Sequence, residues 1–402
     1  MTIRLKFHKI RGREGLESLL FRPWENTEGW MQMGKTMEEK AFREHVSWVM
    51  FLLSILVIWA HSYNAELFSG GAPVTEGIWL TVHRIQDFLS AALGLTAVPG
   101  FFMLSAYLFF RSFSWEKLPA KWKSRVRSVA VPYLAWNFFY YLGYVLATRI
   151  PAVYRLIGKP PVPFNGEELL AAVLHYQYAP VFWYLYQLMF LILLSPVLYW
   201  IIKNRTRGLV FLAAVMAAVH FHLDTMHPNT DALLYYSFGI FMAVHGRELT
   251  EASYGKGRIL AGIGNVLMAA ICFWRMGKPG ADVLWIVMFR FFLPISIWLL
   301  FDSGRMGKTR PWMRQSLFLY GIHFILVRVF NKAGALVLGR VLDGTAMAVL
   351  AVVWFLLLPA AVVASSYAAA RILVRYAPAV WRIFSGGRSL DEGFLKNETE
   401  GK

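Results

Sequence analysis

The chain has 402 residues, 57% of them hydrophobic and only 16% charged, with a net charge of +17. Ordinary soluble domains carry about 45–50% apolar and about 25% charged residues, so the excess has to be buried in lipid. The basic residues lie in short clusters between apolar runs, which excludes a nucleic-acid-binding face or arm and fits a lipid bilayer partner. One cysteine, Cys272, excludes a disulfide framework and a cysteine-based metal site.

Residues 1–45 hold nine Lys or Arg and neither an apolar signal core nor a small-residue cleavage site, so they read as a basic cytosolic segment without a signal peptide. A spanning helix needs about 20 predominantly apolar residues. Ten runs nearly free of Asp, Glu, Lys and Arg follow, over 46–63, 88–110, 128–148, 181–202, 208–222, 232–245, 259–274, 283–301, 315–331 and 344–370. The fifth, sixth and seventh are short for a full span. The last part, 371–402, reads as a cytosolic tail around a membrane domain of residues 46–370.

Counting the even-numbered loops with both tails gives 31 Lys and Arg, against eight in the odd-numbered loops. The positive-inside rule then places both termini in the cytoplasm, and a plasma (cell) membrane protein with about ten spans is the expected all-α helix bundle. The small-residue stretch at Ala368 to Ala370 permits close helix packing, compatible with a homo-oligomer.

Polar groups at membrane depth mark partners, cavities or reaction sites. His61, in ILVIWAHSYN near the outer end of the first run, has the chemistry of a general base, since an unperturbed imidazole titrates near pH ~6.5. An interfacial histidine bonded to a neighbouring helix is the bland alternative. The cluster Lys121, Lys123, Arg125 and Arg127 suits the phosphates of an anionic cofactor or, equally, a topogenic loop. Arg290, inside the eighth run, has to face the bundle, whereas Arg328 lies near enough to the interface to snorkel. His323 stands half-way along the ninth run, able to share a cavity with His61 or to close an interhelical hydrogen bond. His220, His222 and His227 have poor spacing for a metal, and no metal is expected.

Several blocks in order resemble the acyltransferase 3 family of polytopic membrane acyltransferases. LVIWAHS resembles its histidine-bearing first helix, VPGFFMLSAYLFF its FFxxSG block and RVRSVAVPYLAW its basic stretch and proline. FWYLYQLMFLILLSP, YYSFGIF and SLFLYGIHFIL resemble the fourth-helix, YFxxG and late Tyr/His blocks. Two positions depart: Ala106 replaces the usual Gly after Ser105, and Met50 stands where the family has an Arg eleven residues before the histidine.

The resemblance implies transfer of an acyl group, typically acetyl, from cytosolic acetyl-CoA or another acyl-CoA to a hydroxyl of an extracytoplasmic polysaccharide or lipid-linked glycan. His61 would be the base or a transient acyl carrier, with Arg125 and Arg127 holding the cofactor. At about 1.5 Å per residue the cytosolic end of the first helix lies roughly 20 Å from His61, so the donor must enter a polar channel. Asn64, Ser105, Trp183, Arg290 and His323 are candidates to line it. A transporter or flippase for a glycan precursor is the rival reading, in which Arg290, His323 and Arg328 hold an anionic head group.

Overall fold

A computed structural model describes residues 36–157, 160–225 and 227–390, and these fold into helices with a single isolated bridge, Thr36 to Ala252. Most of the expected basic N-terminal segment, residues 1–35, lies outside the described residues, as does 391–402 of the tail.

The principal helices are α1 (Glu39–His61), α2 (Gly77–Phe110), α3 (Leu118–Ala147), α4 (Pro180–Leu193), α5 (Ser195–Ile202) and α6 (Arg205–His220). They are followed by α7 (Thr230–His245), α8 (Lys256–Met276), α9 (Val283–Leu300), α10 (Ser316–Leu338), α11 (Gly344–Tyr376) and α12 (Pro378–Phe384). Seven, α1, α2, α3, α8, α9, α10 and α11, are long and apolar enough to cross a membrane, and α4 with α5 makes an eighth bent by 63°. Each of the ten expected runs corresponds to a helix, but α6 and α7, at 16 residues each, fall short of that length.

The bend between α4 and α5 falls just before Pro196, whose ring cannot follow a straight helix there. Leu260, Leu267 and Ile271 of α8 and Val349, Val353 and Leu357 of α11 are exposed, as lipid-facing side chains should be.

α1 begins at Glu39 and not at the expected residue 46, because its charged first turns find partners. Glu251 accepts from Arg111 Nε (2.7 Å) and Nη2 (2.9 Å), from Tyr107 Oη (2.7 Å) and from Arg247 Nε (2.9 Å). Arg111 also pairs with Glu39 at 2.8 Å and lies over the Phe42 ring. Glu44 accepts from the Thr309 backbone N–H and hydroxyl, each at 2.8 Å, and from Arg314 at 3.3 Å. The loops around residues 111, 251 and 309 thus meet at the N-terminal end of α1, leaving His61 at the opposite end.

Close backbone approach locks α7 on α2. A Cβ at Gly239 would come to 2.3 Å from the Met103 carbonyl oxygen and 2.8 Å from Ala106 Cβ, and both neighbours are held by α2. Gly239→Ala is expected to cost about 1–3 kcal/mol through overpacking, read as a lower thermal midpoint in detergent. An unchanged midpoint would mean that the two helices separate freely.

Residues 371–384 are more structured than a tail. α11 continues to Tyr376, past the expected end at residue 370, and α12 returns to pack on α3, where Trp136 Nε1 donates to the Phe384 carbonyl at 3.1 Å.

Candidate active site

His61 is the last residue of α1. The chain reverses there because Ser62 caps the helix and a buried amide cluster fixes the next residues. Gln86 Oε1 accepts the backbone N–H groups of Asn64 (3.0 Å) and Ala65 (3.1 Å), while Gln86 Nε2 donates to Asn64 Oδ1 (2.8 Å) and the Ala351 carbonyl (3.2 Å). Asn331 Nδ2 donates to the Ser62 carbonyl at 3.2 Å, and Trp354 Nε1 to Asn331 Oδ1 at 3.1 Å. Asn64 therefore serves the site by holding the end of α1, with its amide occupied by protein partners. Such satisfied networks rigidify what they support.

The other wall comes from α2, whose regular helix is interrupted by a π turn, Phe88–Leu93, and a 3₁₀ turn, Gly94–Thr96. π turns recur at functional sites because they re-aim a helix face. Here the interruption presses Gly94 against α1, where a Cβ would meet the Ala60 nitrogen at 2.7 Å. Only glycine permits that approach beside His61.

Between these walls lies a cavity of about 110 Å³, lined by His61, Phe102, Trp183, Asp231, Tyr235 and Arg290 among others. His61 makes no hydrogen bond with the described residues. The Arg290 charge acts on Asp231, and Pro294, one turn further along α9, leaves the Arg290 carbonyl without its usual helical donor. Arg290 is turned inward, as a charge at membrane depth requires, and Trp183 lines the same cavity as His61.

His323 packs behind His61, with ring centroids 5.4 Å apart. Its Nδ1 lies 2.6 Å from the Tyr320 carbonyl and so must carry the proton, which makes Nε2 an acceptor. That Nε2 is buried with no hydrogen-bond partner among the described residues. Phe324 meets His61 edge-on at 5.4 Å, and Arg328 lies over Phe324 at 4.3 Å while donating to Tyr144 Oη at 3.1 Å.

Ser105 is not in this cavity. Its hydroxyl sits 3.0 Å from Tyr184 Oη, and the Phe102 ring, 4.7 Å from Tyr184, separates the pair from His61. Tyr184 in turn neighbours Tyr320 at 5.9 Å, and Tyr320 neighbours His323 at 5.9 Å. A file of hydroxyl-bearing rings therefore leads from Ser105 to the histidine pair, and on α7 the Tyr236 hydroxyl and Ser237 Oγ are buried without hydrogen-bond partners among the described residues. Arg125 and Arg127 part company. Arg125 is half-buried over the Phe109 ring at 5.6 Å and its charge reaches Tyr184 and Tyr236, whereas Arg127 is exposed.

The departure at Met50 also has a structural counterpart. Met50 is buried in apolar surroundings, and a buried cation near the lower part of α1 is Arg258 of α8, which donates to His45 Nε2 at 2.7 Å and to the carbonyls of Ala252 (2.9 Å) and Leu299 (3.0 Å).

A bundle of membrane-length helices that brings His61 and Arg290 to an internal cavity, with His323 packed behind and the ionic loops at the opposite end, defines a polytopic membrane protein with an interior site. The family model for the acyltransferase 3 domain matches residues 46–371, most of the chain, and the protein belongs to that family of acyltransferases. No curated protein and no solved structure matches the chain.

Proposed function

We propose that the protein is an O-acyltransferase of the plasma membrane. It takes an acyl group from an acyl-CoA at the end bearing the ionic loops, the cytoplasmic side, and passes it to a hydroxyl of a carbohydrate or lipid-linked glycan at the opposite end. The observation that carries this reading is His61: it has no hydrogen-bond partner among the described residues and faces a cavity shared with Arg290, Asp231 and Trp183.

His61 accepts the proton of the attacking hydroxyl as its oxygen bonds to the thioester carbonyl carbon. Arg290 lies in the same cavity to stabilise the developing oxyanion, the kind of fixed charge that contributes most to acyl transfer. The C–S bond then breaks, and the imidazolium returns the proton to the CoA thiolate. The His323 Nε2 lone pair supports the imidazolium form of His61, and the Trp183 ring offers a flat face to a sugar.

In this reading Arg125 holds a phosphate of the donor, and the hydroxyls of Ser105, Tyr184, Tyr236 and Ser237 are the polar groups available to the amides of a pantetheine arm.

The test is acceptor-dependent release of free CoA by the purified chain in liposomes without an ion gradient. A transporter would consume no acyl-CoA. In the same assay Arg125→Gln is expected to raise the KM for acyl-CoA about 10-fold, as loss of a charge-assisted hydrogen bond of roughly 1.5–3 kcal/mol implies. Arg127→Gln should change it less, since that side chain points outward. Equal effects would place the phosphates elsewhere.

A further inference from the structure

A second, larger cavity of about 450 Å³ lies directly below the first, between α1, α2, α7, α8 and α9. That volume is in the range of small-molecule pockets. Its lining is almost wholly apolar, and most of its few polar side chains are occupied. Tyr107 donates to Glu251, Asn265 to the Ala261 carbonyl, Thr250 to the Gly246 carbonyl and Trp298 Nε1 to the Thr250 carbonyl. Arg258 is taken up by His45 and backbone carbonyls. Such a chamber recognises hydrocarbon and would leave the amides of a pantetheine arm unpaired.

The two cavities follow one helix face. Val49 and Leu53 line the lower one, Val57 and His61 the upper one, at intervals of four residues along α1. On α9, Trp298, Ile295 and Pro294 lead up to Arg290 in the same way. The boundary is thin: the Cβ position of Gly100 is 3.0 Å from both methyl groups of Leu53 and 3.0 Å from Pro294 Cβ. Leu53 and Pro294 of the lower chamber stand one helical turn from Val57 and Arg290 of the upper one, so the two linings adjoin.

We propose that the lower chamber receives the aliphatic acyl chain of the donor, whose carbonyl stands at His61. This rests on the acyltransferase reading and extends the donor beyond the acetyl group that the family resemblance suggests. From His61 to Val49 is about 18 Å at ~1.5 Å per residue, which is long enough for roughly thirteen or fourteen methylenes at ~1.3 Å of projected length per C–C bond.

Acetyl-, octanoyl- and dodecanoyl-CoA are compared with the full chain in liposomes, in the native form and with Gly257→Leu or Ala261→Phe. Gly257 lines the chamber and a Cβ there meets nothing within 4 Å, so the backbone at this position tolerates a side chain. The native protein should prefer octanoyl- or dodecanoyl-CoA over acetyl-CoA by at least ~10-fold in kcat/KM, as pocket discrimination of methylenes allows. The filled variants should lose that preference while keeping acetyl transfer. Acetyl transfer with no gain from longer chains overturns the inference and leaves the acyltransferase reading standing, whereas no consumption of any acyl-CoA removes both.

A diazirine-bearing dodecanoyl-CoA gives a readout without turnover. It should label residues of α1 and α9 that line the chamber, and excess dodecanoyl-CoA should compete. Labelling there by a diazirine phospholipid that acyl-CoA does not displace would show a membrane lipid as the occupant and overturn the proposal.

Discussion

His61→Gln is expected to lower acyl transfer by roughly 10²–10⁴-fold, the usual contribution of a positioned general base, while leaving the protein folded and inserted. The expectation of intact folding follows from the contacts. The His61 ring makes no hydrogen bond among the described residues, and the turn that follows is held by Gln86, Asn64 and Asn331, which the substitution does not touch. An unchanged thermal midpoint with lost transfer is therefore the result to look for. Transfer at the native rate would exclude His61 as the base and move attention to His323. Incubating the native protein with donor alone separates the two roles open to His61, because an acyl-imidazole adduct visible by mass spectrometry would make it a carrier.

The largest effect on stability is expected from Glu251→Gln, at about 3 kcal/mol or more, because removing one partner of a buried ion pair strands the other. Glu251 is buried to 2% exposure, and Arg111, Arg247 and Tyr107 all donate to it. Burial pushes its carboxyl up, but the hydrogen bonds from Arg111 and Tyr107 and the charges of Arg111 and Arg247 outweigh this and hold it below the ordinary value of 4.5. A carboxyl depressed in the folded state contributes stability at pH values above 4.5, and that contribution is lost as pH falls through the folded value. The native thermal midpoint should accordingly fall on acidification, and Glu251→Gln should start lower and fall less. Parallel pH profiles for the two proteins would mean that the clasp contributes nothing.

Much of this arrangement was legible in the sequence. Apolar run length located the helices, since a chain crossing hydrocarbon has to satisfy its backbone internally. The intramembrane polar groups His61, Arg290 and His323, with the aromatic Trp183, were picked out by position, and the fold gathers them at or beside one cavity. Asp231 is hidden from the sequence for a definite reason: an acidic residue interrupts an apolar run, so the carboxylate at the start of α7 looks like a boundary although it faces the cavity. The early start of α1 is hidden likewise, because charged residues with partners on other helices look like a solvated segment when those partners are distant in sequence. Asn64 and Ser105 were chosen by proximity to blocks that resemble the family. What each bonds depends on Gln86 and Tyr184, which no local pattern pairs with them.

The contact of Leu53 with Gly100 and Pro294 bears on how such an enzyme coexists with an energised membrane. Sites that receive substrates from opposite faces form, between them, a continuous path along which protons and ions would dissipate the electrochemical gradient. Leu53 packs close to Gly100 and Pro294 between the two chambers' linings, apolar groups that water and ions do not cross cheaply. If donor and acceptor do enter from opposite faces, as proposed, Leu53→Ala would be expected to raise proton leak in energised liposomes even where transfer itself survives.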